Sequence, residues 1–307
     1  MNKIQADVLV IGGGSAGMGA FRAARKATDN VYIAEDYKFG TTCARVGCMP
    51  SKLLIAAAEA AHHSKHTAQF GVHIDCDVRV DGKEVMDRVR AERDRFVGFV
   101  VEDVEAWPAD KRLLGRAKIK DAHTVIVTNQ EGEQTQVTAK RIVITTGSRP
   151  IILPEWQALG ERLIINDDVF SWETLPKSVA VFGSGVIGLE LGQALARLGV
   201  KVHIFGRGNS IGGISDPTIS AQALEIFQQE LDMHLDAKTS VSLNAAGNVE
   251  IAYEQNGKKG VFEAEYLLAA IGRKPNTDNI GLENLAELKL DKRGVPVADR
   301  HTMQTSI

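Results

Sequence analysis

One pattern occurs twice in this chain, and it limits the available folds more than any other feature. VLVIGGGSAG begins at Val8 and VAVFGSGVIG at Val179. In each, a short apolar run with β-branched residues ends in G-x-G-x-x-G and opens into a helical stretch. Such a run bounded by glycine reads as a buried parallel strand. The first glycine permits the tight turn, the second lets a pyrophosphate approach the backbone, and the third lets the helix pack closely on the strand. The first copy predicts a strand over residues 6–11, a turn at Gly12, Gly14 and Gly17, and a helix over 16–28. A second strand over 31–34 then ends at Glu35, where an acid binds a ribose hydroxyl. The later copy predicts a strand over 178–182, a turn at Gly183, Gly185 and Gly188, and a strand over 202–205. TTGSRP at Thr145 is echoed by AAIGRKP at Ala269, in the same relative order. A lone glycine motif would also fit an unliganded βα turn; duplication of the whole unit is far more specific.

Residues 40–52, GTTCARVGCMPSK, follow the first unit. Cys43 and Cys48 are five apart, and a regular helix rises about 7.5 Å over that distance. A disulfide tolerates a Cα spacing of up to about 7 Å. If the two cysteines pair, the segment must be distorted, and Gly47 makes distortion cheap. The apolar run after Pro50 and Ser51 predicts a helix over 51–68. Cys48 then lies just before its N-terminus, where partial positive charge favours a thiolate. By spacing alone, two buried unreactive thiols fit equally well.

The flanking residues separate these readings. G-T-T-C-x-x-x-G-C-x-P-S-K resembles the redox-active segment of the flavin-dependent pyridine nucleotide–disulfide oxidoreductases, especially dihydrolipoamide dehydrogenases. Mercuric and glutathione reductases are more distant, and Met49-Pro50-Ser51-Lys52 fits the lipoamide enzymes better. The resemblance implies a Cys43–Cys48 redox disulfide, with Cys43 as the outer, substrate-attacking thiol and Cys48 as the inner thiol beside the flavin. It places Lys52 near the flavin N5, in a buried pair with Glu190 that holds positive charge there. The implied FAD contacts are Gly12, Gly14, Ser15, Ala16, Gly17, Glu35, Thr42, Gly147 and Ser148, and T-G-S-x-P is the short flavin-domain motif. The implied nicotinamide contacts are Gly183, Gly185, Val186, Ile187, Gly188 and Arg207. Gly272 and Arg273 complete the set.

The implied fold is α/β, with two Rossmann-like dinucleotide-binding domains and the NAD domain inserted in the FAD domain. Residues 1–150 form the first part of the FAD domain, 151–277 the NAD(P) domain, and 278–307 the return to the FAD domain. Residues 151–177 read as a linker. In the family, a further flavin-contacting G-D pair and a C-terminal interface domain with a His-Glu pair come next. None of the eight histidines stands in the H-P-x-x-x-E context of that pair. The expectation is therefore of a fragment, whose full-length form is a homodimer acting on a small dithiol or disulfide or on a lipoyl domain. The noncatalytic alternative is a dinucleotide-binding or redox-sensing protein.

The choice of nicotinamide cofactor is less direct. Gly206 occupies the position where an NAD site usually has an acid, and Arg207, which suits the 2′-phosphate of NADP, follows. Gly208, Asn209 and Ser210 supply no second arginine. NAD is the favoured cofactor and NADP the alternative.

The rest of the composition excludes other roles. A net charge of −3 argues against nucleic acid or an anionic membrane as partner. No run of about 18 apolar residues predicts a membrane span. Three cysteines do not make a stapled secreted fold, so the expected location is cytoplasmic. Cys76 reads as an unremarkable thiol, His62, His63 and His66 as a solvated helix end, and residues 81–107 as a long amphipathic packing helix ended by Pro108. No metal ligand set is evident.

Overall fold

A computed structural model of the chain describes residues 1–208 and 211–307. The elements run β1 (Asn2–Ile11), α1 (Ser15–Ala24), β2 (Val31–Glu35), α2 (Thr42–Val46), α3 (Cys48–Lys65) and α4 (Gly82–Glu105). Then come β3 (Arg112–Leu114), β4 (Arg116–Ile119), β5 (Thr124–Thr128), β6 (Gln134–Ile144) and β7 (Ser148–Pro150). They continue with β8 (Leu163–Ile164), α5 (Asn166–Val169), β9 (Ser178–Phe182), α6 (Val186–Arg197), β10 (Lys201–Gly206), α7 (Pro217–Glu230) and β11 (Asp232–Leu235). The last are β12 (Lys238–Leu243), β13 (Val249–Gln255), β14 (Lys258–Ala264), β15 (Tyr266–Ala269) and β16 (Arg273–Pro275). The chain divides into two compact units: Met1–Arg45 with Arg95–Arg149 and Arg273–Ile307, and Val46–Asp94 with Pro150–Gly272.

The first unit is built on a six-stranded sheet in the order β3-β2-β1-β6-β5-β4. Four strands are parallel, and the β5–β4 side is antiparallel. The alternation of β1 sends Val10 to one face and Leu9 and Ile11 to the other. Val10 packs with Met18 and Phe21 of α1 and with Val104 and Trp107, where the Phe21 and Trp107 rings stack at 4.3 Å. Leu9 and Ile11 pack with Ile119, Val125 and Val137, and with Ile280 and Leu282 of the returning chain. Two backbone-anchored contacts fix that return: the Ile119 amide donates to the Ile280 carbonyl at 2.7 Å, and the Asn284 side-chain amide donates to the Ile119 carbonyl at 2.7 Å.

The second unit carries a five-stranded parallel sheet, β11-β10-β9-β15-β8. One face is covered by α3 and α6 through Leu54, Ala58, Leu191, Ala194 and Leu195. The other is covered by the antiparallel meander β12-β13-β14, whose Val249, Ile251 and Phe262 pack against Phe182 and Phe205. Both units are thus α/β with Rossmann-like parallel cores.

The structure departs from the sequence expectation in several places. Residues 151–177 are not a linker: β8 pairs with β15, and Trp156, Leu159, Ile164, Val169 and Phe170 are all buried. A two-residue strand is too short to show a period, and its apolar residues read as a crossover. The first helix is Ser15–Ala24 rather than 16–28, because the chain turns after Ala24 with the Ala27 amide bonding back to the Ala24 carbonyl. The helix after the cysteines starts at Cys48, three residues earlier than expected, and stops at Lys65, beyond which residues 67–70 tighten into a 3-10 turn. No helix among the described residues is long and apolar enough to cross a membrane.

Candidate functional site

The two glycine turns have the same internal construction. Gly12 and Gly183 have φ of 106° and 126°, a left-handed conformation that side-chain-bearing residues rarely adopt. Their amides donate to Ala34 and Phe205 at 2.8 and 2.7 Å. A Cβ at Gly12 would lie 2.4 Å from the Thr145 carbonyl oxygen, and one at Gly183 would lie 2.2 Å from that of Ala270. The third glycines are tighter still: a Cβ at Gly17 would come 1.8 Å from the Gly12 oxygen, and one at Gly188 1.9 Å from the Gly183 oxygen. TTGSRP and AAIGRKP thus serve as matching backstops to the two turns.

The middle glycines differ in kind. Gly14 and Gly185 cap α1 and α6 in extended conformation, and a Cβ on either would meet nothing within 4 Å. Each turn therefore has open space at a helix N-terminus, beside first-turn amides that lack a helical acceptor. Ser15 and Ala16 in one turn, and Val186 in the other, are exposed there. This cradle fits the pyrophosphate of a dinucleotide, held by backbone N–H groups and the positive helix end. Glu35 is set beside the first cradle: the Gly13 amide donates to its carboxylate at 2.6 Å.

In the second unit the corresponding slot is filled from the other side. Ser184 stands where Gly13 stands, and Gly206 where Glu35 stands. A Cβ on Gly206 would fall 2.7 Å from the buried Ser184 hydroxyl and 2.7 Å from Leu235. A carboxylate is supplied from just beyond the neighbouring strand. Asp236, at φ 59° just after β11, donates its amide to the Gly206 carbonyl at 2.8 Å and accepts from the Gly208 amide at 3.3 Å. Arg207 is exposed, and Asn209 and Ser210 lie outside the described residues.

Cys43 lies in α2 and Cys48 is the first residue of α3. Gly47, at φ −132° and ψ −118°, interrupts what would otherwise be one helix. Cys48 is exposed at the helix start, and the buried Ser51 hydroxyl donates to its carbonyl at 3.1 Å. Ahead of the cysteines, Thr41 holds φ of 57°, an outlier for a β-branched residue, while its Oγ1 accepts from the Ala44 amide at 3.0 Å. Thr42, exposed, opens α2.

Packing of α3 on α6 brings Lys52 to Glu190, Nζ to Oε1 at 2.6 Å. The expected pair is made, but it is not buried: the side chains are 59% and 36% exposed. Each residue is the fifth of its helix. An exposed pair contributes at most about 1 kcal/mol to stability.

Ser148 is engaged by Arg273, whose Nε donates to its hydroxyl at 2.9 Å and whose Nη2 donates to its carbonyl at 2.7 Å. Gly147 has φ of 67°, and its carbonyl accepts from the Asn276 amide at 3.0 Å. Gly272 has φ of 126° and accepts from the Ile151 amide at 3.0 Å. Arg149 pairs with Asp278 and holds that carboxyl down at about 2. Sequence reasoning passed over Thr145, whose hydroxyl donates to the Ile11 and Gly12 carbonyls at 2.8 and 2.9 Å. Its position directly after a parallel strand was the available signal. Gly13, Ser184 and Asp236 were also missed.

Comparison with known proteins agrees with this construction. The family model described as pyridine nucleotide-disulphide oxidoreductase matches residues 6–307. The chain belongs to that family. It is 32% identical over 298 residues to the dihydrolipoyl dehydrogenase of Geobacillus stearothermophilus, covering 97% of this chain and 62% of that protein. It is 30% identical over 299 residues to a dihydrolipoyl dehydrogenase of Bacillus subtilis (strain 168), covering 97% and 63%. The chain thus spans less than two-thirds of the length of these curated relatives. Among solved structures, a Cu(II) complex of the HOCl-induced flavoprotein disulfide reductase RclA of Escherichia coli, in mutant form, superposes with a TM-score of 0.77 at 23% identity. That match covers 100% of this chain and 65% of RclA, and it shows the shared fold. Cys43 and Cys48 therefore stand in a chain of the pyridine nucleotide-disulphide oxidoreductase family, whose members typically bind FAD and NAD(P).

Proposed function

We propose that the chain carries the electron-transfer core of a dihydrolipoyl dehydrogenase-like enzyme, which oxidises a dithiol at the expense of NAD⁺. The observation that carries this reading is the Gly47 break, which separates Cys43 from Cys48 at the start of α3. It is supported by the doubled cradle, one for each dinucleotide. The turn at Gly12, Gly14 and Gly17, with Glu35, would hold FAD, and the turn at Gly183, Gly185 and Gly188 would hold the nicotinamide dinucleotide. When bound, FAD supplies the two-electron carrier between the thiols and the nicotinamide.

The chain's own residues do the exchange. A substrate thiolate attacks Cys43 Sγ, and the Cys43–Cys48 bond breaks with Cys48 leaving as thiolate. The second substrate thiolate attacks the first substrate sulfur, and Cys43 leaves. The substrate gains one disulfide and loses two electrons, and the two cysteines gain them; thiolate fraction and access set the rate. Cys48 is favoured as leaving group by the positive end of α3. Lys52, fixed by Glu190, supplies positive charge at the head of the same helix.

NAD is favoured over NADP by Asp236, whose carboxylate lies against the Gly208 amide and opposes a 2′-phosphate beside that loop. Arg207 acts the other way. Comparing both cofactors on Asp236→Asn and Arg207→Ala tests the assignment: Asp236→Asn should gain NADPH use. The substrate proposed is dihydrolipoamide, free or on a lipoyl domain; a glutathione- or mercuric-reductase-like specificity is the other outcome of the assay. The working form proposed is a cytoplasmic homodimer. A yellow, FAD-loaded protein should show two additional titratable thiols per chain after dihydrolipoamide treatment and should reduce NAD⁺. Cys43→Ser and Cys48→Ser should keep FAD and lose both properties. A protein that takes up no FAD, or a Cys48→Ser variant as active as its parent, overturns the reading.

A further inference from the structure

The second unit holds a cluster that the oxidoreductase chemistry does not use. Strands β10 and β11 pair in parallel with His203 opposite Asp232 and Phe205 opposite His234. Partners in register share a face of the sheet, so all four side chains point to the side covered by the meander. The alternate residues Ile204, Met233 and Leu235 pack on the helical side instead. The His203 and His234 side chains are about nine-tenths buried in this aromatic layer. The His203 ring stacks on Phe262 at 3.7 Å, and the His234 ring lies 4.3 Å from Tyr253. Asp232, on the edge strand, has a side chain that is 64% exposed.

We propose that His203, His234 and Asp232 form a binding site for one divalent transition-metal ion of the zinc class. The three side chains present ligand atoms within 4.8 Å of one another. His203 Nε2 lies 3.4 Å from Asp232 Oδ2, and His234 Nε2 lies 3.8 Å from Asp232 Oδ1. Two ligands at about 2.0–2.1 Å from a tetrahedral zinc stand roughly 3.3 Å apart. The observed spacings therefore close on an ion by movements of about an ångström or less, most of it available to the exposed Asp232. Two imidazoles and one carboxylate are a donor set suited to zinc, cobalt or nickel rather than to magnesium or calcium. The charge also fits: neutral imidazoles with one carboxylate leave a single negative charge for a dication to offset.

The contact that the ion replaces is visible. His203 Nδ1 and His234 Nε2 face one another at hydrogen-bond distance, 2.9 Å. Coordination uses the His234 Nε2 lone pair, so this nitrogen gives up the contact with His203 and any proton on it moves to His234 Nδ1. The aromatic layer closes the inner side of the site and leaves the Asp232 side for entry and for a water ligand. The strands that carry the ligands are rigid elements of the parallel sheet, which preserves the spacing before an ion arrives.

The test uses the full FAD-treated chain with Cys43, Cys48 and Cys76 changed to Ser, so that thiols cannot compete for the ion. Zn²⁺ titration by calorimetry should give one site per chain and raise the unfolding midpoint. Co²⁺ should give visible d–d bands that Zn²⁺ abolishes. Asp232→Asn removes an exposed carboxylate without disturbing the core, and it should weaken Zn²⁺ at least tenfold. His234→Gln should do the same and remove the Co²⁺ bands. Failure of the triple-serine protein to bind Zn²⁺, or parent affinity in Asp232→Asn, overturns the assignment. Should His234→Gln unfold, Asp232→Asn and the Co²⁺ spectrum still decide.

Discussion

Alanine at Gly14 adds one methyl group to the mouth of the first cradle, where a Cβ meets nothing within 4 Å. Folding should hardly register it. The residue is extended at the cap of α1 (φ −75°, ψ −173°), so alanine fits the backbone. Alanine is the poorer cap, by roughly 0.5–1 kcal/mol. The stiffer unfolded chain returns about 0.4–1 kcal/mol, so the two effects nearly cancel. Binding is different, because the methyl stands where a pyrophosphate must approach the backbone. Loss of one hydrogen bond to a charged acceptor costs about 1.5–3 kcal/mol. FAD affinity should therefore fall by roughly ten- to a hundredfold. Gly17→Ala is the contrasting case. Its Cβ would sit 1.8 Å from a backbone oxygen, so the turn must open. Such overpacking costs at least 1–3 kcal/mol. FAD fluorescence titration and urea unfolding, run on both variants, separate the two effects. Gly14→Ala with parent FAD affinity, or with a large loss of stability, refutes the reasoning. Gly185→Ala carries the same prediction into the second unit: nicotinamide dinucleotide affinity falls and FAD affinity does not.

Thr41→Asn should stabilise the chain by about 1 kcal/mol, since asparagine adopts the left-handed conformation more readily and its side chain can still cap α2; an unchanged or lower urea midpoint contradicts this. A double-mutant cycle on Lys52→Ala and Glu190→Ala should give a stability coupling below about 1 kcal/mol that shrinks in high salt, whereas coupling above about 2 kcal/mol would mean the pair is not exposed. The Arg149 guanidinium lowers the Asp278 carboxyl from 3.8 to about 2. The folded value lies below the unfolded one, so the pair stabilises fully above the unfolded value and is lost as pH falls through about 2. Carboxyl NMR should show this titration, and in Arg149→Ala it should move up towards about 3.9.

The glycine turns were legible because their contacts are made by backbone against backbone. Where a Cβ would sit 1.8 Å from an oxygen, only one residue type is possible, and the requirement is printed in the sequence. The break at Gly47 was legible only conditionally: two cysteines five apart require it if they pair, and glycine makes it cheap. Side-chain contacts were less visible. Lys52 and Glu190 stand 138 residues apart and were joined only by resemblance, which also made them buried when they are exposed. Thr145 bonds across 134 residues, from a position that looks like an ordinary strand end. His203 and His234 are 31 residues apart, and only the register of β10 on β11 places them on one face. Strand β8 went unseen because two residues carry no period, and its burial depends on β15, more than a hundred residues later.

The exchange at the second cradle constrains how this chain can change. Ser184 and Gly206 occupy one volume between them, as Gly13 and Glu35 do in the first unit. Putting an acid at 206 alone drives it into the serine hydroxyl, and clearing the serine alone leaves a void with no acid to fill it. The double change Ser184→Gly with Gly206→Glu removes the serine contact, and the Leu235 side chain must then yield to the new carbon as well. The two positions are therefore epistatic: each single step is a loss, and the altered ribose site lies across a valley in the mutational landscape. A screen of single substitutions would score both positions as intolerant and miss that they are coupled.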